Sequence, residues 1–169
     1  MRRLLFVLPL LALLASLSDA GVALQRYLES LKLGDTLKEV EIVYPPRRNW
    51  GSYRDPRGNL RRVLLDRSQA KYFPVDAENL RLGFSGERLA HIQVIYTREA
   101  SKKKPLGNLV VDLSLIYGEP RRIDETYFWW DNDTVIAVSD AMLASPDGRG
   151  SELRTSLELM DYELFEPLR

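Results

Sequence analysis

Leu106–Arg122 reads LGNLVVDLSLIYGEPRR. Leu106, Leu109/Val110, Leu113 and Ile116/Tyr117 fall on one face of a helix, and Gly118 and Pro120 bring it to a stop. An echo lies upstream at Leu33–Arg48, LGDTLKEVEIVYPPRR. Setting Gly34 on Gly107 also sets Tyr44 on Tyr117, and puts Leu37, Val40, Ile42 and Val43 on Val110, Leu113, Leu115 and Ile116. One inserted residue, Glu119, then brings Pro46-Arg47-Arg48 onto Pro120-Arg121-Arg122. The match predicts an internal duplication. Its rival is two unrelated amphipathic helices that share a proline stop.

The segments around these helices supply the rest of the fold. Leu24, Tyr27, Leu28 and Leu31 recur at helical spacing, so Gly21–Lys32 reads as a first helix ended by Gly34. Thr36-Leu-Lys-Glu39 is a capping-box pattern that starts the second helix, and Pro45-Pro46 stops it. Arg47–Arg62 carries Gly51, Pro56 and Gly58 and reads as a long loop or irregular hairpin. Arg62–Asp66 is a short strand candidate. Leu80–Phe84 and Leu89–Thr97 alternate around Ser85-Gly86 as a hairpin, with Ala90, Ile92, Val94 and Tyr96 on one face and Leu89, His91, Gln93 and Ile95 on the other. Arg98–Lys104 is a charged linker. Thr126–Trp130 and Thr134–Val138 form a hairpin around Asp131-Asn132-Asp133, and Met142–Ser145 pairs with Glu152–Asp161. Helices followed by antiparallel strands predict a two-layer α+β fold, with helices packed on one face of the sheet and a tandem repeat of that unit. The expected organisation is a signal at 1–20, a first helix–sheet repeat at 21–99, a linker at 100–105 and a second repeat at 106–169.

The first twenty residues read as a targeting segment. Arg2 and Arg3 precede the apolar run Leu4–Leu17, and Ser18-Asp19-Ala20 places small residues at the −3 and −1 positions of a cleavage site. That run is short for a membrane span, which needs about 20 residues. The alternative is an uncleaved N-terminal anchor. The chain has no cysteine, so neither a lipid-attachment thiol nor a disulfide framework is available. Export without disulfides fits a periplasmic or secreted bacterial protein. Removing Arg2, Arg3 and Asp19 from the 24 basic and 24 acidic residues leaves 22 and 23. So balanced a charge provides no field to recruit nucleic acid, and any anionic partner would need a local patch.

Helix, Leu-Gly-Asp-Thr-x-x-Glu-Val, a proline stop and then strands resembles the small envelope lipoproteins of the SmpA/OmlA outer-membrane-assembly type. Two such units in tandem resemble the architecture of beta-lactamase inhibitory protein. The motif covers Leu33–Pro46 and, in looser form, Leu106–Pro120. This chain departs from the first family in lacking the lipid-attachment cysteine, and from the second in lacking disulfides. The resemblance implies the fold and protein binding through the sheet, without a specific partner.

Few residues point to catalysis. His91 is the sole histidine, with no cysteine to complete a metal set and no G-x-S-x-G elbow, and it reads as a surface histidine. Ser101-Lys-Lys-Lys104 matches S-x-x-K, but S-D-N is only approached by Ser139-Asp140-Ala141 and K-T-G is absent. Asp131-Asn132-Asp133 begins like a calcium loop, yet Ile136 and Met142 stand where Gly and Glu are needed. Asn132-Asp-Thr134 is a glycosylation sequon, relevant only to a eukaryotic secretory route. No metal, cofactor or catalytic residue is assigned.

Two surfaces are better candidates for binding. Arg47–Arg62 holds arginines 47, 48, 54, 57, 61 and 62 against one acid, Asp55, with Trp50 and Tyr53 between them. Such a run suits carboxylate or phosphate, or is a solvated loop paired with acids elsewhere. In Tyr127-Phe128-Trp129-Trp130, alternate residues face opposite sides of a strand. One aromatic pair is then buried. The other is exposed as an interaction surface, or is covered by a loop such as 47–62. Arg47, Arg48, Trp50, Arg61, Trp129 and Trp130 are the expected binding residues. The expected function is an exported, non-enzymatic protein-interaction module of the bacterial envelope, with no membrane span after signal cleavage. The alternatives are an anionic envelope ligand (lipid phosphate or acidic glycan) on the arginine loop, and a cofactor-free hydrolase using His91.

Overall fold

The computed structural model describes residues 22–54, 60–145 and 149–164. The signal segment and the centre of the arginine-rich loop, including Asp55 and Arg57, lie outside them.

Where a first helix is expected, the chain folds as a small hairpin, β1 (Tyr27–Leu28) and β2 (Leu31–Lys32). Glu29 and Ser30 take φ of 50° and 64°, the left-handed geometry of a two-residue turn whose twist suits paired strands. The misreading has a plain cause. Leu28 and Leu31 are three apart, which fits one helical face, but across a two-residue turn the same spacing makes them cross-strand partners. Both are buried.

Helix α1 (Leu37–Val43) follows with the capping box intact. The Glu39 N–H donates to Thr36 Oγ1 at 3.3 Å, and the Thr36 N–H donates to Glu39 Oε2 at 2.6 Å. After α1 come β3 (Ser52–Arg54), β4 (Leu60–Leu65), β5 (Ala77–Ser85) and β6 (Arg88–Tyr96). The charged run read as a linker is a short helix, α2 (Arg98–Lys103), capped by Thr97. Helix α3 (Leu106–Tyr117) buries Leu109 and Leu113 and ends at Gly118, whose φ of 82° favours glycine. The chain then runs through β7 (Arg121–Ile123), β8 (Thr126–Trp130), β9 (Thr134–Ala144) and β10 (Ser151–Asp161).

The strands from β3 onward form one antiparallel eight-stranded sheet in the order β3-β4-β5-β6-β10-β9-β8-β7. Two four-stranded meanders meet where β6 pairs with β10, Ile95 opposite Ser156 and His91 opposite Met160. The two-layer α+β expectation is therefore corrected. Strand makes up 47% of the structure and helix 20%. Among the described residues the three α-helices, of 7, 6 and 12 residues, are too short to build a layer over eight strands. α1, α3 and the N-terminal hairpin add side chains to a core dominated by the sheet, and α2 adds none.

That core lies on one face. Val63, Leu65, Leu80, Leu82, Phe84, Ile92, Val94, Val138, Leu157 and Leu159 pack there with Leu31, Val40, Leu109 and Leu113. Strict alternation along β6 would put Leu89 on the opposite side from Ile92. A bulge corrects the phase: Gly83 pairs with His91 but Phe84 pairs with Leu89, so Ala90 is the extra residue and Leu89 joins the core.

Candidate functional site

Cross-strand partners share a face, so the pairing registers define what stands opposite the core. One row runs Arg121–Phe128–Ala137–Glu158–Gln93–Arg81–Leu64 across seven strands. The next runs Trp130–Val135–Met160–His91–Gly83–Arg62. Phe128 is half-buried and Trp130 is 38% exposed at one end, and Leu64 is 42% exposed at the other. Between them lie the polar Glu158, Gln93, Arg81, His91 and Arg62 together with Gly83, Met160 and the buried Ala137 and Val135.

The polar centre is internally tied. Arg62 Nη1 lies 2.6 Å from His91 Nδ1, and His91 Nε2 lies 3.0 Å from Glu158 Oε2. A guanidinium can only donate, so Nδ1 accepts and the ring proton sits on Nε2, facing the carboxylate. Gln93 Nε2 donates to Ser156 Oγ and Glu158 Oε1, each at 2.9 Å, and Arg81 Nη1 donates weakly to Gln93 Oε1 at 3.4 Å. His91 and Gln93 are each only 8% exposed. His91 is thus a buried strut between Arg62 and Glu158, which corrects the surface-histidine reading. Among the described residues no serine hydroxyl bonds to it, and both ring nitrogens are engaged. These groups line a depression of about 590 Å³ on the open face.

Gly83 makes this arrangement possible. A Cβ there would stand 2.9 Å from Arg62 Nη1, 3.1 Å from His91 Cβ and 3.2 Å from Leu60 Cδ1. Only a bare backbone lets the guanidinium cross β5 to reach the ring.

The six residues expected to bind do not form one patch. Trp129 is 4% exposed in the core, and its indole N–H donates to the Gly118 carbonyl at 2.8 Å. It staples the end of α3 to β8 and is corrected from a contact residue to a structural one. Trp130, its neighbour, faces the open side. Trp50 is half-buried against the core and donates to the Gln69 carbonyl at 3.2 Å. Arg47 and Arg48 are exposed after α1, and Arg61 is exposed opposite Phe84 at the start of β4. Strands β4 and β8 are five positions apart, or about 24 Å.

Arg62 belongs to the arginine run but not to the six expected binding residues, and Arg81 and Glu158 carry no local sequence signal. The period-2 pattern does put His91 and Gln93 on one face of β6 and Glu158 on the polar face of β10. What it lacks is the register that joins them across 65 and 67 positions.

The remaining motifs resolve as structure. Asp131 is a turn cap: its carboxylate accepts the backbone N–H groups of Leu24 at 2.8 Å, Asp133 at 2.9 Å and Thr134 at 2.8 Å. Burial opposes its ionisation, but these three donors and nearby Arg26 outweigh it and hold the carboxyl below its ordinary value. Ser101 Oγ accepts the Thr155 N–H at 3.1 Å, tying α2 to β10. No three potential metal ligands cluster among the described residues, and no helix there is long and apolar enough to cross a membrane.

No protein-family model, curated protein or solved structure matches the chain, and the resemblances drawn from Leu33–Pro46 and Leu106–Pro120 gain no support from these comparisons.

Proposed function

We propose that the chain is an exported, non-enzymatic protein-interaction module of the bacterial cell envelope, and that the open face of its sheet is the contact surface. The observation that carries this reading is the one-sidedness of the molecule. Helices α1 and α3 and the N-terminal hairpin pack into a core on one face. The other face presents Trp130, Phe128 and Leu64 around a floor of His91, Gln93 and Glu158 with Val135, Ala137 and Met160. Seven strand spacings make that face about 34 Å wide, ample for the roughly 800 Å² that each partner buries in a specific complex. Exposed tryptophan at the end of such a face suits an anchor residue. Export is supported by Arg2, Arg3, the apolar run and Ser18-Asp19-Ala20. The non-enzymatic reading is supported by His91, whose nitrogens both serve the internal network.

Photo-crosslinking in the expressing cells tests the surface. A benzophenone side chain at position 64 or 130 is expected to yield a discrete protein adduct, and one at Ile42, which is 77% exposed on α1, is not. Adducts of equal intensity from all three positions would contradict the open face.

A second reading, an anionic ligand such as lipid phosphate on the arginine loop, is favoured by one observation. Arg47, Arg48 and Arg61 are exposed and have no acidic partner among the described residues. Vesicle binding that falls steeply with salt and is lost in Arg47→Gln/Arg48→Gln would support it.

A further inference from the structure

We propose that the cavity bordered by Glu29, Asp76, Tyr96, Lys103 and Lys104 takes a small zwitterion of the α-amino acid class. It holds about 310 Å³, at the low end of small-molecule sites, which run from about 300 to 1,000 Å³. It lies on the core side, where the β1–β2 turn, the residue ahead of β5, the end of β6 and helices α2 and α3 converge. The inference therefore stands apart from the open-face reading.

Part of the lining is acidic. Burial first, and Asp76 second, hold the Glu29 carboxyl above its ordinary value. Burial, then Glu29 and Asp76, push the Tyr96 phenol up to about 12. The three groups thus stand close together, and among the described residues none of their side chains is hydrogen-bonded or ion-paired. Their oxygens suit the three N–H donors of a primary ammonium. Lys103 and Lys104 supply the basic part, and no ion pair joins either to Glu29 or Asp76, although all four charges border one cavity. Unlike charges held apart in this way are what a zwitterion bridges. The ammonium and carboxylate of an α-amino acid lie about 3 Å apart. One charge-assisted hydrogen bond at either end adds about 2.8 Å. Ala100 and Leu109 leave an apolar wall for an aliphatic side chain.

The backbone around the cavity is fixed before a ligand arrives. The Tyr44 hydroxyl donates to the Glu29 carbonyl, and the Thr97 N–H donates to the Asp76 carbonyl at 2.8 Å. The Thr155 hydroxyl donates to the Lys104 carbonyl at 3.2 Å, so α2 is fastened to β10 at both Ser101 and Lys104. Little backbone ordering then opposes binding. Glu29 also occupies a left-handed turn position, with φ of 50°, that suits Asn or Gly better. A glutamate there puts its carboxylate beside Asp76 and Tyr96.

The test is calorimetric titration of the full chain with the proteinogenic amino acids, then with the decarboxylated amine and the deaminated acid of the tightest one. The amino acid is expected to bind about tenfold or more tightly than either single-charge analogue, since each leaves one set of charges unpaired. Glu29→Gln is expected to weaken the amino acid and the amine about tenfold and to leave the acid unchanged. Lys103→Gln/Lys104→Gln is expected to weaken the amino acid and the acid and to leave the amine unchanged. Circular dichroism checks that the variants fold, and Tyr96→Phe, which removes only a hydroxyl, repeats the amine-side test if Glu29→Gln does not. An amine as tight as the amino acid would overturn the inference in favour of a plain cation seat on Glu29 and Asp76. An acid as tight would overturn it in favour of an anion site on the lysines. Binding by no amino acid, or binding unmoved by every variant, would overturn the cavity as a site.

Discussion

At the scale of single residues, the decisive contrasts are between neighbours. Trp129 and Trp130 are adjacent in sequence and opposite in role. Trp129→Ala removes a buried indole and its hydrogen bond to Gly118, and should cost about 3–5 kcal/mol in denaturant unfolding. Trp130→Ala should cost under about 1 kcal/mol, since its side chain is already partly in water. Gly83 is a second such point. Gly83→Ala must displace Arg62 or shift His91, and overpacking of this kind is expected to cost about 1–3 kcal/mol, read as a lowered Tm. A third is Asp131, whose carboxyl is held below its ordinary value in the folded chain. Its contribution to stability is therefore complete above the unfolded value of about 3.8 and fades as pH falls through the lower folded value. Unfolding midpoints measured between pH 6 and pH 2 should show a shallower acid loss in Asp131→Asn than in wild type.

At the scale of elements, much was legible where the signal is local. The capping box of Thr36 and Glu39 and the end of α3 at Gly118 are encoded within a few residues, as is the β8–β9 hairpin around Asp131. Thr36→Ala should cost about 1 kcal/mol, because the Glu39 N–H loses its acceptor and the Glu39 carboxylate loses the hydroxyl that donates to it. Elements whose identity depends on distant contacts were misread. Tyr27–Lys32 has helical spacing, but burying Leu28 and Leu31 side by side is achieved equally by a two-residue turn. Arg98–Lys103 has a charged, linker-like composition, yet Thr97 caps it and Ser101 anchors it to β10. The candidate site was half legible for the same reason. Alternation exposes the polar positions of β6 and β10, whereas the β6–β10 pairing and the Ala90 bulge decide that Arg62, His91 and Glu158 meet.

At the scale of the whole molecule, the organising feature is a single sheet with two unlike faces. One is the core, supplied by every strand from β4 to β10 except β7, and by parts of α1 and α3. The other has an aromatic end, a braced polar depression around His91 and an apolar residue at its far side. The formal charge of zero means that attraction to a partner must come from such local patches and not from the net field. Salt should therefore weaken binding only to the extent that charged side chains of such patches take part.

Hydroxyl-radical footprinting tests this two-faced picture most directly, because it reads both faces in one measurement. The purified chain is compared with the chain in the cells that express it. If the open face is the contact surface, Trp130, Phe128, Leu64 and Met160 lose reactivity in cells, while Ile42 and Leu115, 77% and 82% exposed on the helices, keep theirs. Loss of reactivity at Ile42 and Leu115 with Trp130 and Leu64 unchanged would place the partner on the helical side and contradict it.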